Sequence, residues 1–599
     1  MPHNNPVSYF NDRLDLFERQ LADVIKKIRK TSFLRVSVFL GSVIGIYLTM
    51  ANGYALFSIP FFGGFIYFIL LVRTHLRLEK RKSWYEANID INKCEKLILE
   101  GNTVGMDPGS EFVNPDHPFT DDLDVFGRKS LFQLINRSAT SQGRNKLANT
   151  LSFPLFDVKK LVLRQNAVAE ISKIPDWRQS FQATGKLFNE EKSDQSELIT
   201  WASKTNNRLD TLFFKIMLLL TPILGFGIIT LIQFKILTIS AFFLFLIIPF
   251  ALIGTRLTLL NRIHSDVSKK SGLLNMYSEL FKLIKNESFN SDLLIDVQNN
   301  IGGKQVAGDA VNVLASITKS MDYRLNMLVG FFLNIFFLWD IRQSIRIERW
   351  KKKYASDLER WFDQLSIVDE LQSFAGFSFI NQDSVYPDFS DKDFMVDAVN
   401  VRHPFISRKD SIGNPVCFTG WKQYHIITGA NMAGKSTYLR TIGVNILLSM
   451  TGSVVLADRF TLTPVQIFTG IKTSDSLQEG ESYFFAELKR LKEIIDRLES
   501  GERLFIILDE VLRGTNSADK QKGSKALISQ LLSMGASGMI ATHDLELGKL
   551  KDEFPDNVIN QRFEVEIVQN ELIFDYKLKD GISQNLNATF LMKKMGITL

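Results

Sequence analysis

Cysteine is nearly absent from these 599 residues: only Cys94 and Cys417 occur, far apart and without metal-ligand spacing. That excludes a disulfide framework and a thiolate zinc site, and it fits a reducing compartment. No low-complexity tract occurs. The net charge of +6 is too small to argue by itself for a nucleic-acid partner. The most telling absence is local. Residues 36–72 contain no Asp, Glu, Lys, Arg or His.

Within that stretch, residues 36–50 and 55–72 each approach the length needed to cross a bilayer, broken at Ala51-Asn52-Gly53-Tyr54. The pattern recurs at 212–234 and 236–255, separated by Lys235. Each pair predicts a transmembrane hairpin. Lys26, Lys27, Arg29 and Lys30 precede the first, and Arg73, Arg77, Lys80, Arg81 and Lys82 follow it. Lys204, Arg208 and Arg256 flank the second. The positive-inside rule then describes a multi-pass protein of an inner or plasma membrane, with lipid as a partner and both termini cytoplasmic. A cleaved signal peptide does not fit, because the first apolar run starts late and no cleavage pattern follows. The alternative is two buried helical hairpins in a soluble core, with Lys215 and scattered Gly and Pro as interruptions. The run 329–339 is too short to span and is expected in a core.

The C-terminal third carries the chemistry. Residues 424–437 read YHIITGANMAGKST. A β-prone run leads into Gly429, and Gly434-Lys435-Ser436 follows, which is the G-x-x-x-x-G-K-[ST] phosphate loop. Its backbone N–H groups and the start of the next helix converge on an anion. The expected nucleotide contacts are Gly429, Asn431, Met432, Ala433, Gly434, Lys435, Ser436 and Thr437. Lys435 reaches the β/γ-phosphates, and the Ser436 hydroxyl ligates Mg²⁺. Residues 504–510, LFIILDE, read as a buried parallel strand ending in two carboxylates. Asp509 is expected to hold the metal and Glu510 to act as general base. Residues 540–547, IATHDLEL, place His543 just past a strand end, where it could report the γ-phosphate. Between these segments, Phe484, Leu488, Leu491, Ile494 and Ile495 recur at helical spacing. Ser482 therefore sits near a helix start, a second anion site.

Together, TGANMAGKSTYLRTIG, SDSLQEGESYFFAEL, LDEVLRGTNSAD and ATHDLEL resemble the ATPase domain of the MutS family of DNA mismatch-repair proteins. The resemblance implies an ABC-type Mg²⁺-dependent ATPase that pairs head to tail, with Ser482 of one subunit meeting the γ-phosphate held by the other. DVFGRKSLFQLINRSATSQGRNKLANTLSFP, RQNAVAEI and LNIFFLWDIRQ resemble the family's helical core. FDYKLKDGISQNLNATFLMKKMGI is similar to its closing segment. The chain departs at Ala430, usually Pro, at Ala433 and Leu512, usually Gly, and at Asn516, usually Ser. Ser411 stands where an adenine-stacking aromatic is expected. No segment resembles the family's mismatch reader.

The expected fold is multidomain. Residues 1–100 carry an amphipathic helix and the first transmembrane hairpin. A Gly/Pro/Asp/Asn-rich linker covers 101–122. A helical core with the second hairpin inserted runs over 123–388, and an α/β P-loop ATPase domain over 389–599. Two functions compete. One is a membrane-anchored, homodimeric ATPase that binds DNA without mismatch specificity. The other is a transport or membrane-remodelling ATPase with a protein or lipid client. Against transport, four spans are few and no intramembrane acid suggests a substrate path. A soluble repair factor is a third, weaker reading.

Overall fold

The computed structural model describes residues 5–52, 59–188, 190, 194–205, 209–268, 270–303, 306–472, 483–512, 516–568 and 571–583. The chain is multidomain and mostly helical, with two mixed sheets. It forms two compact units. The first comprises Met1–Lys93, Ser138–Asn145 and Asp176–Glu370; the second comprises Cys94–Arg137, Lys146–Pro175 and Leu371–Leu599.

The first unit is helical throughout its described residues. Pro6–Ala51 is one continuous helix that merges the amphipathic segment with the first apolar run. Asn5 caps it, accepting the Val7 N–H at 2.9 Å, and proline occupies the first turn where no donor is needed. Its first half buries Tyr9, Phe10, Phe17 and Val24. Phe17 packs edge-on against Trp84 of the next helix, Ile59–Leu99, at 5.7 Å. Farther along, Phe39 meets Phe65 and Phe68. A Cβ at Gly64 would collide with the Ser42 hydroxyl, so glycine lets these two helices approach. The first helix ends at Ala51 with Asn52 as its cap, at the start of the break expected at 51–54; Gly53 and Tyr54 lie outside the described residues. The second apolar pair forms the helices Leu212–Gln233 and Ile239–Gly254.

Pro6–Ala51 and Leu212–Gln233 are each long and apolar enough to cross a membrane, and little of either apolar window is buried. Ile239–Gly254 with Leu257–Val267, bent by 60°, and Met327–Phe337 with Trp339–Ile380, bent by 75°, have that character as pairs. The run at 329–339 corrects expectation. It forms the helix Met327–Phe337, which buries Gly330, Ile335 and Phe336 but leaves Met327 87% and Leu328 82% exposed. Apart from Asn334, whose Oδ1 accepts the Asp340 N–H, its residues are apolar, while the Leu212–Gly254 pair covers only one side.

The second unit holds both sheets. The strands are β1 (Asp388–Phe389), β2 (Val396–Val401), β3 (Asn414–Phe418), β4 (Tyr424–Thr428), β5 (Arg459–Leu462), β6 (Gln466–Gly470), β7 (Leu504–Asp509), β8 (Ser537–Thr542), β9 (Val558–Val568) and β10 (Glu571–Asp580). The small sheet has the order β1-β5-β2-β3, and the large one β10-β9-β4-β8-β7-β6. In the large sheet only β10 runs antiparallel to its neighbour. β4, β7 and β8 are buried at every position, as parallel strands covered on both faces require. Ile426, Ile506, Leu508 and Ile540 pack with Ile494 of the helix Tyr483–Glu499 and Ile528 and Leu531 of Ser517–Ser533. Phe374 and Phe377 are fully buried, at the end of the long helix Trp339–Ile380.

Segment 101–122 has little regular structure, yet its end is built into this unit. Buried Asp122 accepts hydrogen bonds from Thr469 Oγ1 at 2.6 Å and the Lys472 N–H at 2.5 Å, and it faces Arg490 at 3.8 Å. Asp124 pairs with Arg440 at 2.8 Å and Lys472 at 2.5 Å. Those carboxylates explain why residues 94–137 cluster with the sheets. Residues 146–175 do so too: Arg164 donates to the Thr451 carbonyl at 2.8 Å.

Candidate functional site

β4 ends at Thr428, and the chain turns through 429–434 into the helix Lys435–Ser449. Gly429 (φ +152°), Met432 (φ +68°) and Gly434 (φ +102°) all take positive φ. A Cβ on Gly429 would come within 2.7 Å of the Phe563 carbonyl oxygen, so that glycine is required by space as well as by conformation. Lys435 is buried, and its ammonium donates to the carbonyls of Gly429 (2.7 Å) and Ala430 (3.0 Å). The loop thus closes on its own cation. Asn431, Met432, Ser436 and Thr437 are exposed around it, whereas Ala433 is buried.

A cavity of about 460 Å³ opens beside the loop, lined by Ala430, Asn431, Lys435, Ser436, Glu510 and Tyr576 among others. β7 and β8 are paired in register, Asp509 against Ala541, so their C-terminal ends lie side by side. The Glu510 N–H continues the ladder, donating to the Ala541 carbonyl at 2.9 Å. Glu510 takes φ +50°, an uncommon conformation for a residue with a side chain. Its carboxylate lies 3.2 Å from His543 Nδ1. His543 also approaches Lys520 Nζ at 3.4 Å through Nε2. Asp509 is 7% exposed and lines a separate small cavity with Gly470, Glu487 and Arg490. Leu512, where the resemblance leads one to expect glycine, has φ +61° and donates its N–H to Glu487. Its side chain lies in the apolar core beside Ile528, which offsets the backbone strain.

Glu510, Lys435 and Ser436 are therefore brought to one cavity, with Asn431, Met432, Gly434 and Thr437 beside them. Gly429, Ala433, Asp509 and His543 are not part of that lining. Ser482 lies outside the described residues. Sequence reasoning missed Tyr576. It sits at a bulge in β10, where the register shifts between Phe574 and Leu578, and its φ is +50°. Asn414 holds the bulge, donating to the Tyr576 carbonyl at 2.9 Å and accepting the Leu578 N–H at 2.8 Å. The ring thereby packs against Gly434, where a Cβ would lie 3.1 Å from Tyr576 Cδ1. Ser411, Ile406, Ile412 and His403 line the same cavity. Burial lowers the His403 pKa to about 4, which keeps the imidazole neutral.

These donors suit a nucleoside triphosphate with Mg²⁺. Among the described residues no cluster of three or more His, Cys, Asp or Glu could cage a metal alone. Mg²⁺ bound through one or two protein oxygens plus phosphate oxygens and water needs no such cage.

Residues 425–593 match the family model for MutS domain V, and residues 117–375 match that for MutS domain III. The chain is 31% identical over 236 residues to the DNA mismatch repair protein MutS of Thermotoga neapolitana, covering 39% of this chain and 29% of that protein. It is 34% identical over 232 residues to human MutS protein homolog 4, covering 38% of this chain and 24% of the relative. The MutS protein of Lactobacillus acidophilus is 32% identical over 246 residues, 40% of this chain and 28% of that one. The chain thus spans less than a third of the length of each of these relatives. With its loop, carboxylate strand and histidine in the arrangement described, and with both domain models matched in order along it, the chain belongs to the MutS family of DNA mismatch-repair proteins.

Proposed function

We propose that this protein is a membrane-anchored, Mg²⁺-dependent ATPase that works as a head-to-tail dimer and binds DNA without mismatch specificity. The observation that carries the hydrolytic part is the convergence of Lys435, Ser436 and Glu510 on one cavity. Phosphate oxygens replace the Gly429 and Ala430 carbonyls as partners of the Lys435 ammonium, a charge-assisted exchange. The 429–434 backbone cradles the phosphates with its N–H groups. Ser436 and Asp509 would hold Mg²⁺, directly or through water, and the ion supplies charge neutralisation at the β- and γ-phosphates. Glu510 orients and deprotonates the attacking water, with His543 beside its carboxylate. Tyr576 offers a ring face to the base, in the role for which Ser411 has no ring. Ser482 of the partner subunit is assigned the remaining contact on the γ-phosphate.

Membrane anchoring rests on the charge-free run 36–72, on the 212–255 pair and on their cationic flanks. In this reading both termini and the ATPase domain are cytoplasmic. DNA binding rests on family membership and on the long helix Trp339–Ile380. Arg342, Arg346, Arg349, Lys353 and Arg360 are all exposed, and their spacing places them in one narrow stripe. Eighteen residues separate the first from the last, about 27 Å of helix. Such a stripe meets phosphates without reading sequence.

The test is ATP turnover of the detergent-purified protein, alone and with matched, mismatched and branched duplexes. Mg²⁺-dependent turnover that Lys435→Ala abolishes supports the ATPase. Absence of turnover in every condition sinks it. Mixing Lys435→Ala with Ser482→Arg leaves at most one intact composite site, and full activity of Ser482→Arg alone rules out the shared site. Turnover indifferent to every DNA favours the transport or remodelling reading instead.

A further inference from the structure

We propose that the helix Met327–Phe337 is a membrane-embedded element in its own right, lying in the leaflet next to the globular part of its unit and covered by lipid acyl chains. The inference rests on the membrane-anchored reading of the 212–255 helices and extends it to a segment too short to span. Eleven residues make about 16 Å of helix, roughly half of a 30 Å hydrocarbon layer.

Three observations carry it. The first is continuity with the apolar pair. Phe336 packs on Phe226 at 5.0 Å, Phe245 at 6.3 Å and Phe242 at 6.4 Å, and Phe331 meets Phe250 at 6.2 Å. Phe336 also fills the space beside Gly225, where a Cβ would sit 2.9 Å from its ring. These contacts run along Ile239–Gly254 from Phe242 to Phe250 and fall on the middle of Leu212–Gln233. Whatever medium surrounds that pair therefore reaches the short helix too.

The second is what the helix exposes. Met327, Leu328, Val329, Phe331 and Phe332 are all exposed, and residues 325–338 contain no charged side chain. A surface of this kind facing water is an aggregation liability; facing lipid it carries none.

The third is how the segment begins and ends. Arg324 and Asp340 pair at 3.5 Å, and the rings of Tyr323 and Trp339 stack at 6.4 Å. The last charged residue before the excursion thus meets the first one after it, so the chain enters and leaves at one place. An aromatic pair with polar edges is the residue type that settles at a membrane–water boundary. Leu338, at φ +46°, then redirects the chain by 75° into Trp339–Ile380.

The test uses the full chain in phosphatidylcholine vesicles, with Cys94 and Cys417 replaced by serine. An environment-sensitive fluorophore is placed on Leu328→Cys or Phe332→Cys. Ile223→Cys, on the apolar pair, is the lipid reference, and Val313→Cys, on Ala307–Met321, is the water reference. Only variants that melt with the cysteine-free parent are scored. The expected result is loss of emission at 328 and 332 in vesicles of brominated lipid and none with aqueous iodide, matching 223. If 328 and 332 are quenched by iodide like 313 while 223 responds to brominated lipid, the inference is wrong and the anchor stands. If 223 also behaves like 313, the anchor reading fails and takes the inference with it. Protection from both quenchers, with disulfide-linked dimers through 328, would overturn lipid in favour of a second copy of the chain.

Discussion

The Glu510 carboxylate lies 3.2 Å from Nδ1 of His543, although the two residues follow different strands. In-register pairing of β7 with β8 brings the strand ends level and sets this contact. If Glu510 activates water, Glu510→Gln should keep nucleotide affinity while turnover falls by roughly 10²–10⁴-fold. Single-turnover phosphate release, compared with equilibrium nucleotide binding, separates the two. Parent-like turnover would remove Glu510 from the base role.

Tyr576 tests the base-binding side. Tyr576→Ala should raise KM for ATP about tenfold, as the loss of a stacking contact of about 1–3 kcal/mol implies, with a smaller effect on kcat. Tyr576→Phe keeps the ring and should stay near the parent. An unchanged KM in the alanine variant would show that the ring only packs on Gly434.

Stability should fall with acid in a specific window. Burial lowers the pKa of both His403 and His425 to about 4 from an ordinary value near 6.5. Unfolded chains bind these protons first as pH falls from 6.5, so the native state loses stability between about pH 6.5 and 4. Each histidine contributes a slope of about 1.4 kcal/mol per pH unit across that window. Urea titrations at pH 7, 6 and 5 should show the decline, and His425→Phe, which keeps the stack on Phe418, should make it shallower. A flat profile would mean that these histidines protonate in place.

The cationic stripe predicts DNA binding that is salt-sensitive and nearly equal for matched and mismatched duplexes. Replacing Arg346 and Lys353 with Glu should weaken all duplexes alike and flatten the dependence on salt. Measurements at fixed salt with ATP, ADP or neither are the comparison to make. A tenfold preference for one mismatch, about 1.4 kcal/mol, would contradict the reading.

Topology is tested by labelling. In a cysteine-free background, single cysteines at Asn52 and Gln233 should react from outside intact cells, and one at Ser8 only after permeabilisation. Release of the intact protein by carbonate or high salt would show that the helices are not integral.

Much of the candidate site was legible because its parts are contiguous. A phosphate loop is a single stretch whose glycines are required by its own turn, and β7 announces itself as an apolar run ending in Asp509-Glu510. Long apolar runs declare themselves in the same way, since their character does not depend on neighbours. Family membership followed from those stretches. Tertiary structure decided what depends on residues remote in sequence. Segment 101–122 has the composition of a linker, yet Asp122 and Asp124 tie its end to Lys472, because a carboxylate's partner cannot be read from its own surroundings. Tyr576 looks like any strand aromatic until Asn414 fixes the bulge that turns its ring toward Gly434. The run at 329–339 reads as core because apolar composition records only that water is avoided. Whether protein or lipid does the covering is set by how many helices pack around it, and here only one side is covered.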